Sequence, residues 1–319
     1  MTISDRAVPL AGVVRSGFLE TVHLGHAVII DPDGHVMHSW GDPDTMIFPR
    51  SSNKPAQAAA LVGLGLELPT ELRALTAASH SGEARHLSGV SAILATVDLD
   101  ERALQTPPDF PYGKAARHAW IGAHRKPERI AMNCSGKHAG MIATAMICGE
   151  DPHSYLAPDH PVQRAGTAEL MRLSGTQADV VGIDGCGAPV IGMTVLQLAR
   201  MFSQCVQLPG DDPARRVADA MRAEPEMVGG SDRDVTKLMR TVPGLLAKDG
   251  AEGVYAVALE SGHAVAFKTL DGADRARQVV MAQALALLGV PGVEEFGSVS
   301  VLGGGKPVGS LTGLMLAGG

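Results

Sequence analysis

Two stretches near opposite ends of the chain decide its fold: HAVIIDPDGHVMHSWGD at residues 26–42 and GVYAVALESGHAVAFKTL at residues 253–270. Each is a pair of apolar runs broken by turn residues, Pro32-Asp33-Gly34 in the first and Ser261-Gly262 in the second, and each therefore reads as two hydrogen-bonded strands. Residues 8–16 and 18–23 add another strand or two ahead of the first pair. Between the pairs, from Lys54 to about 240, apolar residues recur at helical spacing. Helices are expected at 55–66, 70–78, 85–97, 113–123, 137–148, 161–173, 194–203, 212–222 and 233–239, separated by Pro- and Gly-rich loops such as 106–113 and 149–161. A further helix is expected at 273–289, and the Gly-rich last 25 residues add a short strand.

Strands at both ends and helices between them imply an α+β (mixed α/β) fold. Its sheet is mostly antiparallel, built from both chain ends and packed with a central helical block. The expected organisation is a single domain over 1–319, with the strands in 8–48 and 250–319 and the helices in 49–249. The alternating order of a doubly wound sheet is absent. GGGKPVGS at 303–310 has glycines and a lysine but not phosphate-loop spacing, and reads as a loop or terminal turn.

Composition excludes several classes. A net charge of −7 and a pI near 5.9 offer no basic stripe for nucleic acid. No apolar stretch is long enough to span a bilayer, and MTISDRAVPLAG lacks a basic segment followed by an apolar one, so a cytoplasmic location is expected. Four cysteines, Cys134, Cys148, Cys186 and Cys205, fit free thiols or metal ligands better than a disulfide scaffold. Aromatics are only 3%, so the core is expected to be Leu, Val, Ala and Met in closely packed helices.

FPRSSNKPAQAAALVGLGL at 48–66 contains the one S-x-x-K of the chain, Ser51 to Lys54. At a helix start, residues three apart share a face, which brings an amine to a hydroxyl. A serine hydroxyl needs such a base to become nucleophilic, and a lysine serves when burial or a neighbouring cation lowers its pKa. Alone, the spacing reads first as an N-terminal helix cap. Three further segments gather polar residues: Ala78-Ser79-His80-Ser81-Gly82-Glu83, Asn133-Cys134-Ser135-Gly136-Lys137-His138-Ala139-Gly140, and Gly182-Ile183-Asp184-Gly185-Cys186-Gly187-Ala188-Pro189. The first also reads as a helix end with its caps. In the other two, Cys134 with Lys137 or His138 has short-range ligand spacing and Cys186 could complete a metal set, or the cysteines are buried free thiols.

Taken together and in this order, FPRSSNKPAQAAAL, ASHSGE, NCSGKHAGM and GIDGCGAPV resemble the signature segments of the L-asparaginases of the Rhizobium etli type, the asparaginase II family. The resemblance runs from about residue 9 to the C-terminus. It implies a fold similar to serine β-lactamases and glutaminases, and an active site of two Ser–Lys pairs. Carried over, these are Ser51 with Lys54, and Ser79 with Lys268; Ser81, two residues beyond Ser79, is the alternative second serine. It implies zinc held by Cys134, Lys137 and Cys186, L-asparagine as the small-molecule substrate, and a homodimer. Arg50, His80, Ser81, Glu83 and Asp184 are the substrate-binding candidates; Asp184, His80, Glu83, Arg50 and His138 read as supporting or structural groups before they read as catalysts.

The β-lactamase motif set offers a comparison. Ser79-His80-Ser81 stands where S-D-N would, without the Asn, and Lys268-Thr269 is followed by Leu270 rather than Gly. Both departures fit a small amino acid better than a lactam. The expected reaction has Ser51 attacking the side-chain amide, Lys54 as base, Lys268 lowering the pKa of Lys54 by repulsion, and Ser79 as relay or as nucleophile itself. The rivals are another serine acyl hydrolase, such as a glutaminase, an esterase or a β-lactamase-like enzyme, and a zinc-binding protein without turnover.

Overall fold

The computed structural model describes residues 2–315; residues 316–319 of the Gly-rich C-terminus lie outside the described residues. In chain order the strands are β1 (Val8–Arg15), β2 (Phe18–Ile30), β3 (Val36–Trp40), β4 (Met46–Ile47), β5 (Val181–Ile183), β6 (Pro189–Ile191), β7 (Met193–Thr194), β8 (Leu246–Gly250), β9 (Val254–Ala258), β10 (Ala264–Thr269), β11 (Ser298–Gly303) and β12 (Lys306–Gly313). The helices are α1 (Lys54–Gly63), α2 (Thr70–Thr76), α3 (Ala84–Ala95), α4 (Lys114–Gly122), α5 (Ser135–Ile147), α6 (Pro161–Ser174), α7 (Val195–Gln207), α8 (Pro213–Ala223), α9 (Pro225–Val228), α10 (Asp234–Thr241) and α11 (Arg277–Leu287). The chain divides into two compact units, one of Met1–Ser52, Gly192–Gln204 and Leu238–Gly319, the other of Asn53–Ile191 and Cys205–Lys237.

The first unit carries an antiparallel sheet in the order β11-β12-β1-β2-β10-β9-β8, with β3 also pairing β2. Both chain ends do contribute its strands, as expected. β8, β9 and β10 are buried along their whole length. Their register sorts side chains by size: Ala256 and Ala258 pair with Ala266 and Ala264 on one face, and Tyr255 and Val257 with Phe267 and Val265 on the other. Lys248 and Lys268 stand on the alanine face, since Lys248 pairs with Ala256 and Lys268 is two residues beyond Ala266. α11 lies against β1, β9, β10 and β12. Pro9, which has no N–H to donate, falls at a register shift between β1 and β2.

Three expectations change. Residues 303–310 are not a loop: Gly304 and Gly305 both take positive φ, which makes a two-residue hairpin turn, and most of the segment runs on as β12. β2 is one 13-residue strand rather than two runs. The expected helix at 273–289 is the shorter α11, preceded by a 3-10 turn at Asp274–Ala276.

The second unit is helical, with one short hairpin, β5–β6. α1 is buried from Lys54 to Val62 and α5 from Ser135 to Ala145, so each is enclosed on every side. α5 packs on α1, α2, α3 and α6, and α1 on α6 and α8. Glycines make the closest approaches. A Cβ on Gly136 would lie 2.5 Å from the Leu75 carbonyl oxygen, and one on Gly140 would lie 2.9 Å from Thr76 Cγ2. Two glycines one turn apart thus let α2 lie directly against α5, which brings the end of α2 and the start of α5 together.

Candidate active site

Lys54 opens α1 and is buried. Its ammonium hydrogens have three acceptors: Ala78 O at 2.5 Å, Ser79 Oγ at 2.9 Å and Cys134 Sγ at 3.1 Å. Ser79 lies between α2 and α3, where its N–H donates to Val228 O and its carbonyl accepts from the Arg233 guanidinium. The helical unit therefore brings Lys54, Ser79 and Cys134 together from segments 25 and 80 residues distant from Lys54.

The neighbouring motif residues are tied into the backbone. Ser81 Oγ donates to Gly229 O at 2.7 Å, so of the two serines it is Ser79 that meets the amine. His80 Nδ1 accepts from Gly82 N–H, which leaves the proton on Nε2 to reach Ser135 Oγ at 2.8 Å; Ser135 in turn donates to Ile130 O. Burial, with the charges of His86 and Lys54 adding to it, holds the His80 imidazole well below its ordinary pKa. Glu83 caps α3 together with His86, and its two oxygens accept from Ser231 N–H and Ser231 Oγ at 2.7 and 2.9 Å.

A second group adjoins the first. Cys134 ends the segment before α5, Lys137 and His138 lie in its first turn, and Cys186 sits in the β5–β6 hairpin loop. Lys137 Nζ is 3.3 Å from Cys186 Sγ, and Asp184 Oδ2 is 3.8 Å from the same sulfur. A hydrogen bond from Cys134 draws Cys186 strongly towards thiolate, helped by Lys137 and His138 against the cost of burial, while Cys134 is pushed up. Burial works against the Lys137 ammonium, yet the charges of Cys186 and Cys134 raise its pKa overall. His138 Nδ1 is 2.6 Å from Tyr155 OH, and the same imidazole interacts with Cys186. Two sulfurs and an imidazole are donor types zinc accepts, and the Lys137 amine joins them once it is neutral. The trio Asp31, Asp33 and His35, of which Asp31 is half-buried, also places three donors close together, but it is the β2–β3 turn bonded to itself, with Asp31 accepting from the His35 N–H.

The remaining predicted residues belong to the sheet unit. Arg50 starts a 3-10 turn, has a φ of 51°, and approaches Glu252 at 3.8 Å. Ser51 follows it, half-buried. Lys268 Nζ donates to Glu252 O and, at 2.8 Å, to Thr269 O. Burial lowers the Lys268 pKa, and Arg50 adds to the effect. Sequence reasoning missed Tyr155 and Arg233; Asn133, quoted in its motif but given no role, has its Oδ1 3.1 Å from Cys134 Sγ. Tyr155 is fully buried in the Pro-rich segment read as a loop, where only its being an aromatic in an aromatic-poor chain could have flagged it.

Fold and cluster together describe an α+β protein in which a buried serine–lysine pair adjoins two cysteines. The sequence profile of L-asparaginase II matches residues 11–312, and the chain belongs to that family. No curated protein matches it. Among solved structures it is similar to Mglu in its glutamate form, at 16% identity over 83% of this chain and 60% of that one, with a TM-score of 0.46. It is also similar to a probable glutaminase, at 16% identity over 83% of this chain and 86% of that one, TM-score 0.45. A β-lactamase from Mycobacterium bovis matches at 16% identity over 83% of this chain and 94% of that one, TM-score 0.42. The chain spans about 60% of the length of the Mglu chain it matches. Among the described residues no helix is long and apolar enough to cross a membrane.

Proposed function

We propose that the protein is an amidohydrolase that converts L-asparagine to L-aspartate and ammonia through an acyl-enzyme. The observation that carries this reading is the Lys54–Ser79 hydrogen bond of 2.9 Å, beside Cys134, in a member of the L-asparaginase II family. A buried amine against a serine hydroxyl is the arrangement that serine acyl transfer needs when no histidine serves as base.

In the proposed reaction Ser51 Oγ attacks the side-chain amide carbon. Its proton passes to Lys54, directly or through Ser79, and then to the departing nitrogen, which leaves as ammonia. Water adds to the resulting ester, Ser51 recovers its proton, and aspartate is released. Lys268 is the proposed second base, and backbone N–H groups stabilise the oxyanion. Arg50 and Asp184 are the proposed substrate contacts; His80, Ser81 and Glu83 act by holding the segment that carries Ser79. A second reading makes Ser79 the nucleophile, and the same 2.9 Å bond favours it.

Cys134, Lys137 and Cys186 are proposed to hold zinc. Both thiols and the amine must then give up protons, which couples metal binding to proton release. Bound zinc supplies a Lewis acid that polarises an oxygen ligand. The protein is further proposed to act as a cytoplasmic homodimer, for which light scattering reads the mass.

The test is ammonia release from L-asparagine with L-glutamine in parallel, on the parent, Ser51→Ala and Ser79→Ala. Release abolished in Ser51→Ala, with slow residual turnover in Ser79→Ala, supports the first reading. A burst retained in Ser51→Ala and lost in Ser79→Ala supports the second. Release from neither substrate by the parent rejects both.

A further inference from the structure

Ser51 follows directly on Arg50, whose φ of 51° is a left-handed conformation that side chains other than glycine rarely adopt. Such a turn persists only where its surroundings over-determine it. Here they do so at β8, the last strand of the sheet order, whose outer edge would otherwise be open. Ser52, fully buried, donates its hydroxyl to the Lys248 carbonyl at 3.1 Å, and its N–H returns to Pro49 O at 3.1 Å. Two residues along β8, Gly250 lets the turn press against the strand. A Cβ there would lie 2.6 Å from Pro49 O and 3.0 Å from Ser52 Oγ.

The strand that receives the turn is itself anchored. Lys248 Nζ donates to Asp249 O at 2.7 Å and to Asp249 Oδ1 at 2.8 Å. Arg277, at the start of α11, donates from one nitrogen to Asp249 Oδ2 at 3.1 Å and to Gly250 O at 3.3 Å. Three buried charges gathered at one short strand, Lys248 and Asp249 on it and Arg277 from α11, are costly to assemble. Together they fix the two carbonyl-bearing residues, 248 and 250, against which the turn rests.

We propose that Ser52 and Gly250 are positioning residues for the proposed nucleophile: the β8 edge clamps residues 49–52 and sets the direction of Ser51 Oγ, while neither residue touches the substrate. The inference rests on the reading of Ser51 as nucleophile. A clamp of this kind acts on the geometry of attack, and a displacement of about 1 Å at a reacting atom can lower turnover roughly 100-fold. Binding, which does not depend on where the hydroxyl points, should be spared.

The experiment is steady-state ammonia release by Ser52→Ala, Gly250→Ala and Ser51→Ala, with thermal unfolding of each. Ser52→Ala removes a hydroxyl without adding volume and should fold. We expect kcat to fall at least 10-fold in Ser52→Ala and Gly250→Ala while KM stays within about 2-fold of the parent. If Ser51→Ala is inactive and Ser52→Ala turns over within 2-fold of the parent, the clamp is rejected and the nucleophile assignment stands. If Ser51→Ala keeps parent turnover, the nucleophile assignment falls and takes the clamp with it. A KM rise that matches or exceeds the kcat loss would also reject the clamp, because the residues would then be serving binding.

Discussion

Lys54 Nζ and Ser79 Oγ are 2.9 Å apart, although 25 residues separate them, and the same nitrogen reaches Cys134 at 3.1 Å. One amine thus joins the proposed acyl-transfer group to the proposed metal group. If Lys54 moves the proton, Lys54→Ala should lower kcat for L-asparagine by roughly 100- to 10,000-fold. Lys54→Arg should not restore it, since a guanidinium does not deprotonate in a protein. Activity of Lys54→Arg near the parent level would show that only positive charge is required.

The thiol pair supports a prediction about metal. Chelation should raise KM for L-asparagine more than it lowers kcat, with residual turnover persisting. Cys186→Ala and Cys134→Ser should release zinc to a chromogenic indicator at chelator concentrations that leave the parent loaded. Cys205→Ser is the control, because Cys205 is buried elsewhere with its thiol pushed up to about 12 by burial. Unchanged affinity and rate after complete zinc removal would reject any functional role for the metal.

His80 and His86 stack 5.1 Å apart, and both accept a backbone N–H at Nδ1. Burial lowers the His86 pKa from 6.5 to about 4, with Glu83 opposing the shift and Arg85 adding to it. Between these values the unfolded chain takes up a proton that the folded protein does not. Stability is therefore complete above pH 6.5 and is lost as the pH falls towards 4. The largest loss from this one group is about 3 kcal/mol, at roughly 1.4 kcal/mol per pKa unit. His86→Gln keeps a donor and an acceptor and should flatten this acid limb. Urea unfolding at pH 4.5 and pH 7 measures it, and equal acid losses in parent and variant would refute the assignment.

The close approach at Gly136 makes a packing prediction. Gly136→Ala must push the Leu75 carbonyl away, and overpacking of this kind costs about 1–3 kcal/mol. Gly122→Ala, on α4, has nothing within 4 Å of its added Cβ and should be neutral or slightly stabilising. A thermal melt of both variants distinguishes them. Equal melting temperatures would mean that α2 does not rest on α5.

Much of the sheet was legible because its signals are local. Asp33-Gly34 and Ser261-Gly262 mark turns, and the apolar runs beside them can only be strands. β8 was not, because Leu246–Gly250 includes Lys248 and Asp249, whose burial depends on each other and on Arg277 some thirty residues on. The short pairs β4–β7 and β5–β6 are too brief to carry a period. The segments of the site could be found by residue type, but their pairings are tertiary. Nothing local in Ser79-His80-Ser81 says which hydroxyl meets Lys54; that is decided by Gly229, which accepts from Ser81.

The sheet unit is assembled from three stretches of chain, whereas most of the helical unit is the continuous run Asn53–Ile191. On the ribosome β1 and β2 emerge before the other strands of this sheet, yet the register of β2 is completed only by β10, with Ala27 waiting for Phe267. Loop closure of that length is slow. The helical segments between them can consolidate while β2 still lacks β10 and β1 still lacks β12, so the strand Phe18–Ile30 is a part of the nascent chain that a chaperone would protect.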